Sequence, residues 1–179
     1  QEPNEVTSGD LRPEEIFAPG MRLKEVFSRE SNYVYIIAEI GINHDGCLQT
    51  ALRLIDAAKD AGVDAVKFQK RHLPSIYKAS TIDDPNSQEW NIEYLIETLK
   101  VVELSENDFD TIQTHCANLQ IDLIITPFDE ISTDYVFEQG VVAFKNASCN
   151  MLNFKLMDRM ISKGLPILIS TGMWTDEEI

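Results

Sequence analysis

From residue 33 onward, short apolar runs alternate with stretches of helical periodicity, and this alternation restricts the fold more than any other feature. The apolar runs occupy residues 33–40, 65–69, 123–126, 141–145 and 167–170. Between them, apolar residues recur at three- and four-residue steps over residues 48–58, 92–99, 109–119 and 152–162. Apolar strands that alternate with helices form a parallel sheet covered by helices. The sequence therefore predicts an α/β fold.

A doubly wound sheet and a TIM-type (β/α)8 barrel both satisfy this pattern. No Gly-x-Gly-x-x-Gly motif follows the first run, which disfavours a dinucleotide-binding fold. Five strands are three fewer than a barrel needs, and the missing strands would leave an open edge and core. A stable isolated half barrel would therefore be unexpected, and both folds stay open on this pattern alone.

Residues 1–30 differ from the rest of the chain because they contain three prolines, many acidic residues and little apolar periodicity. They are predicted to form an N-terminal extension over the main domain, with a short strand at 21–26. Within the main domain, Ser105 and Asp108 have the spacing of a capping box at a helix start.

Fifteen basic residues against thirty acidic residues give a formal net charge of −15. This charge argues against nucleic acid and anionic membranes as partners, since both require basic patches. No apolar run approaches the ~20 residues that span a bilayer. Three scattered cysteines without a Cys-x-x-Cys pair predict free thiols and a cytoplasmic protein. An anionic substrate would have to be held by a few local cations.

Polar residues stand at the carboxyl ends of four predicted strands: Glu39, Lys67 with Gln69, Thr126, and Lys145. Alternation along a strand places Lys67 and Gln69 on one face. The carboxyl ends of barrel strands are also where active sites lie. The alternative is that Glu39 and Lys67 neutralise each other, or that the lysines point outward to solvent. Four such positions at one rim favour a site.

Five segments carry a family resemblance: Ile-Ala-Glu-Ile-Gly-Ile-Asn-His-Asp-Gly at 37–46, Val-Lys-Phe-Gln at 66–69, Thr-Pro-Phe at 126–128, Phe-Lys at 144–145 and Ile-Ser-Thr-Gly-Met at 169–173. Their order and spacing resemble the sialic acid synthase (N-acetylneuraminate synthase) family, in the N-terminal part of its catalytic barrel. The resemblance implies that residues 31–179 hold about five of the eight βα units of a TIM-type (β/α)8 barrel. The resemblance implies a transferase of carbohydrate biosynthesis. Such an enzyme condenses phosphoenolpyruvate with N-acetylmannosamine or a related hexosamine, giving a nonulosonic acid and phosphate.

The resemblance also implies roles for individual residues. It marks Glu39, Lys67 and Lys145 as catalytic. It marks a further set as substrate-binding: Gln69, Thr126, Phe128, Ser148, Asn150, Ser170 and His44. A divalent metal ion, Mn²⁺ or Mg²⁺, is implied as well, with its histidine ligands on later strands that this chain lacks, so no metal site is expected here. The full-length protein is expected to be a homodimer.

Five residues have competing interpretations. Asn150 stands where many members carry an acid, and because an amide cannot take a proton, an acid–base role there is in doubt. His44 is expected either to contact substrate or to shape its loop. His72 and His115 are expected to be structural or to face solvent. Burial as a small apolar residue is favoured for Cys149 over a nucleophilic role, because no neighbouring base is evident.

Two alternative functions remain open at this point. One is another barrel aldolase or synthase with a different sugar acceptor, in which Lys67 would form a Schiff base if its pKa were depressed. The other is a non-catalytic, incomplete paralogue, which Asn150 and the missing strands keep under consideration. The identity of the hexosamine, and whether it is phosphorylated, do not follow from the sequence.

Overall fold

The computed structural model describes residues 18–27, 32–79, 82, 92–172 and 174–179. The strands are β1 (Ile37–Gly41), β2 (Ala65–Lys70), β3 (Asp122–Pro127), β4 (Ala143–Asn146) and β5 (Ile167–Ile169). The helices are α1 (Met21–Phe27), α2 (Leu48–Asp60), α3 (Leu73–Ile76), α4 (Ile92–Val102), α5 (Glu106–Leu119), α6 (Glu130–Glu138) and α7 (Phe154–Ile161). A short 3₁₀ helix, Ser148–Asn150, follows β4.

The five strands form one parallel sheet in the order β1-β2-β3-β4-β5. This confirms the predicted parallel α/β sheet and the place of each strand to within four residues. In a doubly wound sheet the strand order reverses at a switch point, whereas here it runs sequentially, as in the wall of a barrel. All carboxyl ends of the strands therefore lie at the same edge.

The two faces of the sheet bury different residues. The outer face packs on the helices in one large apolar cluster, which includes Val66, Phe68, Ile125 and Phe144 of the strands with Ile55 of α2 and Ile112 of α5. Towards the amino-terminal ends of the strands, the inner face carries small and branched residues, and Ala65, Ile124 and Ala143 cluster there with Leu23. Because side chains alternate, Lys67, Thr126 and Lys145 follow those inner residues on the same face.

The strand predicted at 21–26 is wrong, because these residues form helix α1. Leu23 is 3% exposed and packs on the inner face of the sheet. The backbone N–H of Gly20 donates to Asp122 Oδ1 at 2.8 Å, and the Tyr35 hydroxyl donates to Asp122 Oδ2 at 2.6 Å. Seven residues are too few to show a helical period in the sequence. The tertiary contacts of Leu23 and Gly20 stabilise the helix instead. Residues 1–17 of the predicted extension lie outside the described residues.

Local signals account for one helix and fail for another. The capping box at Ser105 is confirmed: its hydroxyl accepts from the Asp108 N–H, and the Asp108 carboxylate accepts from the Ser105 N–H. Helix α6 was missed by the periodicity, since two of its three buried residues, Ser132 and Thr133, are polar. Asp129 starts it by accepting from the Ser132 N–H at 2.7 Å.

Gly46 lies in the loop between β1 and α2 and has a φ of +72°. A Cβ at this position would lie 2.1 Å from the carbonyl oxygen of Val101, at the end of α4. Only glycine permits this backbone conformation together with so close an approach. Gly46 therefore serves the geometry of this turn. Among the described residues, no helix is both long and apolar enough to cross a membrane.

Candidate active site

Glu39 and Lys67 are register partners on adjacent parallel strands and form an ion pair, with Lys67 Nζ 2.7 Å from Glu39 Oε2. The Lys67 side chain is 7% exposed, whereas that of Glu39 is 58% exposed. A nearly buried ammonium group requires a partner, and the carboxylate supplies one. The pair agrees with the alternative that the two groups neutralise each other. It also shows that the lysine points inward, as the alternation predicted.

One step further along the strands, Gln69 and Thr126 are register partners on β2 and β3. Thr126 is 2% exposed, and Gln69 beside it on the neighbouring strand is partly buried. The ends of β1, β2 and β3 therefore bring a carboxylate, an ammonium, an amide and a hydroxyl to one edge of the inner face.

Lys145 of β4 lies beside these groups. Its Nζ donates to the Ser170 hydroxyl and to the Asn146 carbonyl oxygen, the latter at 3.1 Å. Burial holds the pKa of Lys145 below its usual value; the Glu39 carboxylate opposes this and the Lys67 charge adds to it. Two ammonium groups thus share the field of one largely exposed carboxylate. The positive charge of the two ammonium groups exceeds the negative charge of the carboxylate, so the site can bind a small anion.

The segment after β4 brings Ser148 towards the same edge. The Trp174 indole N–H donates to the Ser148 carbonyl oxygen at 2.9 Å, and a Cβ on Gly172 would lie 3.9 Å from Ser148 Oγ. Ser148 therefore lies against the motif at residues 169–173, of which Met173 lies outside the described residues. Asn150 ends the 3₁₀ helix, and its buried Nδ2 has no hydrogen-bond partner among the described residues.

The expectation that Cys149 is buried is wrong, because its side chain is exposed. It occupies the middle of the 3₁₀ helix Ser148–Asn150. All three cysteines are free thiols, as predicted, and Cys116 is the buried one.

His44 is 2% exposed and sits against Phe68, which belongs to the helix-facing side of the sheet, with ring centroids 5.9 Å apart. Its Nδ1 accepts a hydrogen bond from the Gly46 N–H at 3.1 Å. Burial lowers the pKa of His44 and thus favours the neutral ring that can accept this bond. The geometry favours the loop-shaping interpretation. Its substrate-binding role stays a prediction.

Arg71 was not singled out by the motifs, yet it lies at the rim. Its guanidinium carbon stacks 3.8 Å from the centroid of the Phe128 ring, and Nη2 donates to Gln69 Oε1. Burial lowers the pKa of Arg71. The signal that could have found it is the alternation itself, since Arg71 follows Lys67 and Gln69 at two-residue steps.

With this geometry in view, comparison with known proteins identifies the family. The model of the NeuB family matches residues 54–179, more than half of the chain. The chain belongs to the NeuB family. An N-acetylneuraminate-9-phosphate synthase of Drosophila melanogaster is 37% identical over 148 residues, which are 82% of this chain and 40% of that protein. An N,N'-diacetyllegionaminic acid synthase of Legionella pneumophila is 38% identical over 155 residues, 81% of this chain and 41% of that protein.

Among solved structures, a sialic acid synthetase from Leptospira borgpetersenii, crystallised in complex with citrate, matches with a TM-score of 0.72 and 31% identity. The match covers 83% of this chain and 48% of that one. The chain thus spans less than half the length of these NeuB relatives. The recognition made from the motifs is confirmed at the level of the family.

The described residues contain no group of three or more His, Cys, Asp and Glu side chains that could hold a metal ion. The histidines outside the site have other contacts. His115 Nε2 lies 2.7 Å from Asp56 Oδ1 on the helical exterior, and the backbone N–H of His72 donates to Asp129 Oδ2 at 2.8 Å. The described part of this NeuB chain therefore supplies cations and hydrogen bonds to the site.

A cleft of about 520 Å³ opens beside the strand ends. Phe128 and Asn150 line it together with residues at the amino-terminal ends of α6 and α7, among them Asp129 and Lys155. Its volume lies in the usual range for small-molecule sites. The cleft gives the cationic edge of this NeuB chain an adjoining space with polar walls.

Proposed function

We propose that the protein containing this chain condenses phosphoenolpyruvate with N-acetylmannosamine, a related hexosamine or its 6-phosphate, giving a nonulosonic acid and phosphate. The observation that carries the proposal is the convergence of Lys67 and Lys145 at one edge of the inner face, beside the carboxylate of Glu39. Membership of the NeuB family and relatives named as sialic and legionaminic acid synthases support the same reaction.

Phosphoenolpyruvate is the ligand that best fits the charge of this edge. It carries a phosphate and a carboxylate, and two ammonium groups can neutralise most of its negative charge. Thr126, Ser148 and Ser170 add hydroxyl donors around the lysines. Hydrogen bonds between ionised groups are about twice as strong as neutral ones, and burial strengthens them further. The overall net charge of −15 makes these local cations necessary.

In the proposed reaction, carbon 3 of phosphoenolpyruvate forms a bond with carbon 1 of the open-chain sugar aldehyde, whose oxygen takes up a proton. Water adds at carbon 2, and the bond between carbon 2 and the phosphate oxygen then breaks. Phosphate leaves with that oxygen and carbon 2 becomes a ketone. The lysines of this chain hold the phosphate and carboxylate charges throughout, which is electrostatic stabilisation by preorganised groups.

A divalent metal ion, Mn²⁺ or Mg²⁺, belongs to the proposal through the family resemblance, as the group that polarises the aldehyde. The described residues offer no three-ligand group for it. The chemistry assigned to this chain is therefore binding, orientation and charge neutralisation. The homodimeric state and the cytoplasmic location belong to the same proposal.

We assign the acceptor sugar to the rim, where Phe128 and Asn150 line the cleft of about 520 Å³ and Gln69 stands at the end of β2. The amide of Asn150 has a buried, unpartnered N–H group that a sugar hydroxyl or carbonyl oxygen could accept from. An amide binds without exchanging a proton, so Asn150 is assigned binding and no acid–base role.

The direct test uses the full-length protein with phosphoenolpyruvate, Mn²⁺ and either N-acetylmannosamine or its 6-phosphate. Phosphate release is followed together with the product mass. The expected result is equimolar phosphate and a nine-carbon 2-keto acid, with release dependent on the sugar. Consumption of phosphoenolpyruvate with no hexosamine dependence, or no turnover with any hexosamine, would overturn the proposal.

A second arm separates the Schiff-base aldolase. Borohydride is added during incubation with pyruvate, and the protein mass is measured. The synthase predicts an unmodified protein, whereas a reduced pyruvyl adduct on Lys67 or Lys145 would establish the aldolase instead.

A further inference from the structure

The contact between Arg71 and Gln69 determines how the Gln69 amide is oriented. A guanidinium has donors and no acceptor, so the atom of Gln69 that faces Arg71 Nη2 has to be the carbonyl oxygen Oε1. The Nε2 amino group then points away from Arg71. The orientation of this amide therefore follows from the chemistry of its neighbour.

Arg71 is itself held in place from two sides. Its guanidinium lies flat on the Phe128 ring at 3.8 Å, and its backbone N–H donates to Glu103 Oε1 at 3.0 Å. Within the described residues, no carboxylate forms an ion pair with the guanidinium. In the described part of the chain its head group contacts the Phe128 ring and the carbonyl oxygen of Gln69, and its buried Nη1 has no hydrogen-bond partner there.

The freed Nε2 of Gln69 faces the end of β1. It lies 3.5 Å from the position that a Cβ on Gly41 would occupy, two residues beyond Glu39. The absence of a side chain at Gly41 leaves room beside the two N–H groups. Gln69 is two residues beyond Lys67 on β2, so its amide lies further along the strand than the Lys67–Glu39 pair.

We propose that Arg71 is a positioning residue that fixes Gln69 as a hydrogen-bond donor to an oxygen atom of the acceptor sugar. This rests on the proposed function, which places the sugar at the rim. Without Arg71 the amide can rotate and present its oxygen, which repels a sugar carbonyl and discriminates poorly among hydroxyls.

The test is a double-mutant cycle in the full-length protein, with Arg71→Met, Gln69→Met and the double variant. Each single substitution is expected to raise the KM of the sugar about two- to twelve-fold, the value of one neutral hydrogen bond, and to leave the KM of phosphoenolpyruvate within about twofold. The double variant is expected to match Gln69→Met alone, because Arg71 acts through Gln69. A sugar KM in the double variant that is raised by the product of the two single effects would overturn the inference.

Two more variants sharpen the result. Gln69→Glu keeps an acceptor for Arg71 but has no amide donor, so it is expected to raise the sugar KM at least as much as Gln69→Met. An unchanged KM would show that donation is not the role of Gln69. Lys163→Met is the matched control, because it removes a cation 5.0 Å from the Phe137 ring, in a turn remote from the strand ends. It is expected to leave both KM values unchanged.

Urea unfolding of the same proteins measures the contact without any substrate. Arg71→Met and Gln69→Met are expected to be non-additive in the unfolding equilibrium constant by about two- to twelve-fold. Additive effects would show that the two side chains do not interact and would overturn the inference. If the wild-type protein turns over no hexosamine while the unfolding data show coupling, the proposed function fails and the positioning of the amide stands.

Discussion

Replacing Lys145 by methionine tests the cationic edge most sharply. Lys145 is partly buried, donates to Ser170, and lies close enough to Lys67 for the second charge to lower its pKa further. Methionine keeps the length of the side chain and removes the charge. If Lys145 binds phosphoenolpyruvate, the variant loses one charge-assisted hydrogen bond, which contributes about 1.5–3 kcal/mol.

That loss corresponds to a decrease of roughly ten- to two hundred-fold in kcat/KM for phosphoenolpyruvate. It is measured as phosphate release at subsaturating phosphoenolpyruvate. Asn150→Ala removes only a neutral hydrogen bond, about 0.5–1.5 kcal/mol, and should cost about two- to twelve-fold. Lys59→Met is the matched control, because Lys59 contacts the Gln120 carbonyl oxygen at the opposite end of the strands. It should leave kcat/KM unchanged.

Two results would refute this reasoning: a Lys145→Met variant within about twofold of wild type, or an Asn150→Ala variant that is equally damaged. Thermal unfolding of each variant shows whether a loss of activity reflects misfolding. Asn150→Asp adds information on the departure from the family pattern, since it restores the acid that many members carry. Higher activity in this variant would show that the position can transfer a proton in this protein.

Because burial lowers the pKa of Lys145, its charge is lost at lower pH than that of an ordinary lysine, and phosphoenolpyruvate should bind more weakly as pH rises towards the ordinary lysine pKa of about 10.4. Calorimetric titration checks this; a dependence as steep in Lys145→Met would contradict it. Gly46→Ala should destabilise the protein by at least about 1–3 kcal/mol more than Gly62→Ala. Both glycines have positive φ, but a Cβ clashes with backbone only at Gly46, so equal urea midpoints would refute the clash. His44→Ala should cost about 1–3 kcal/mol of stability with the KM of phosphoenolpyruvate unchanged. A raised KM without loss of stability would instead assign His44 to the substrate.

Strand-level features of the site could be predicted from the sequence because they depend on one rule. Alternation places Lys67 and Gln69 on one face, and parallel pairing brings Glu39 and Lys145 to the same edge. The order of the motifs along the chain was then sufficient to predict the family. Parallel strands share their carboxyl edge, so no long-range contact had to be guessed to bring these residues together.

Features that depend on tertiary contacts were missed. Helix α1 exists where Leu23 meets the inner face of the sheet and Asp122 holds the backbone of Gly20, and neither partner is close in sequence. Cys149 is exposed in the short 3₁₀ helix after β4, and a helix of three residues leaves no periodic pattern in the sequence. Arg71 stood beside a motif, but its stacking on Phe128 joins residues from two different loops.

A crystal structure of the full-length protein with phosphoenolpyruvate tests the central claim most directly. The account predicts that phosphate or carboxylate oxygens lie within hydrogen-bond distance of Lys67, Lys145 and Ser170, at the carboxyl edge of the sheet. Phosphoenolpyruvate bound elsewhere, with both lysines retaining only their present partners Glu39, Ser170 and the Asn146 carbonyl oxygen, would contradict it.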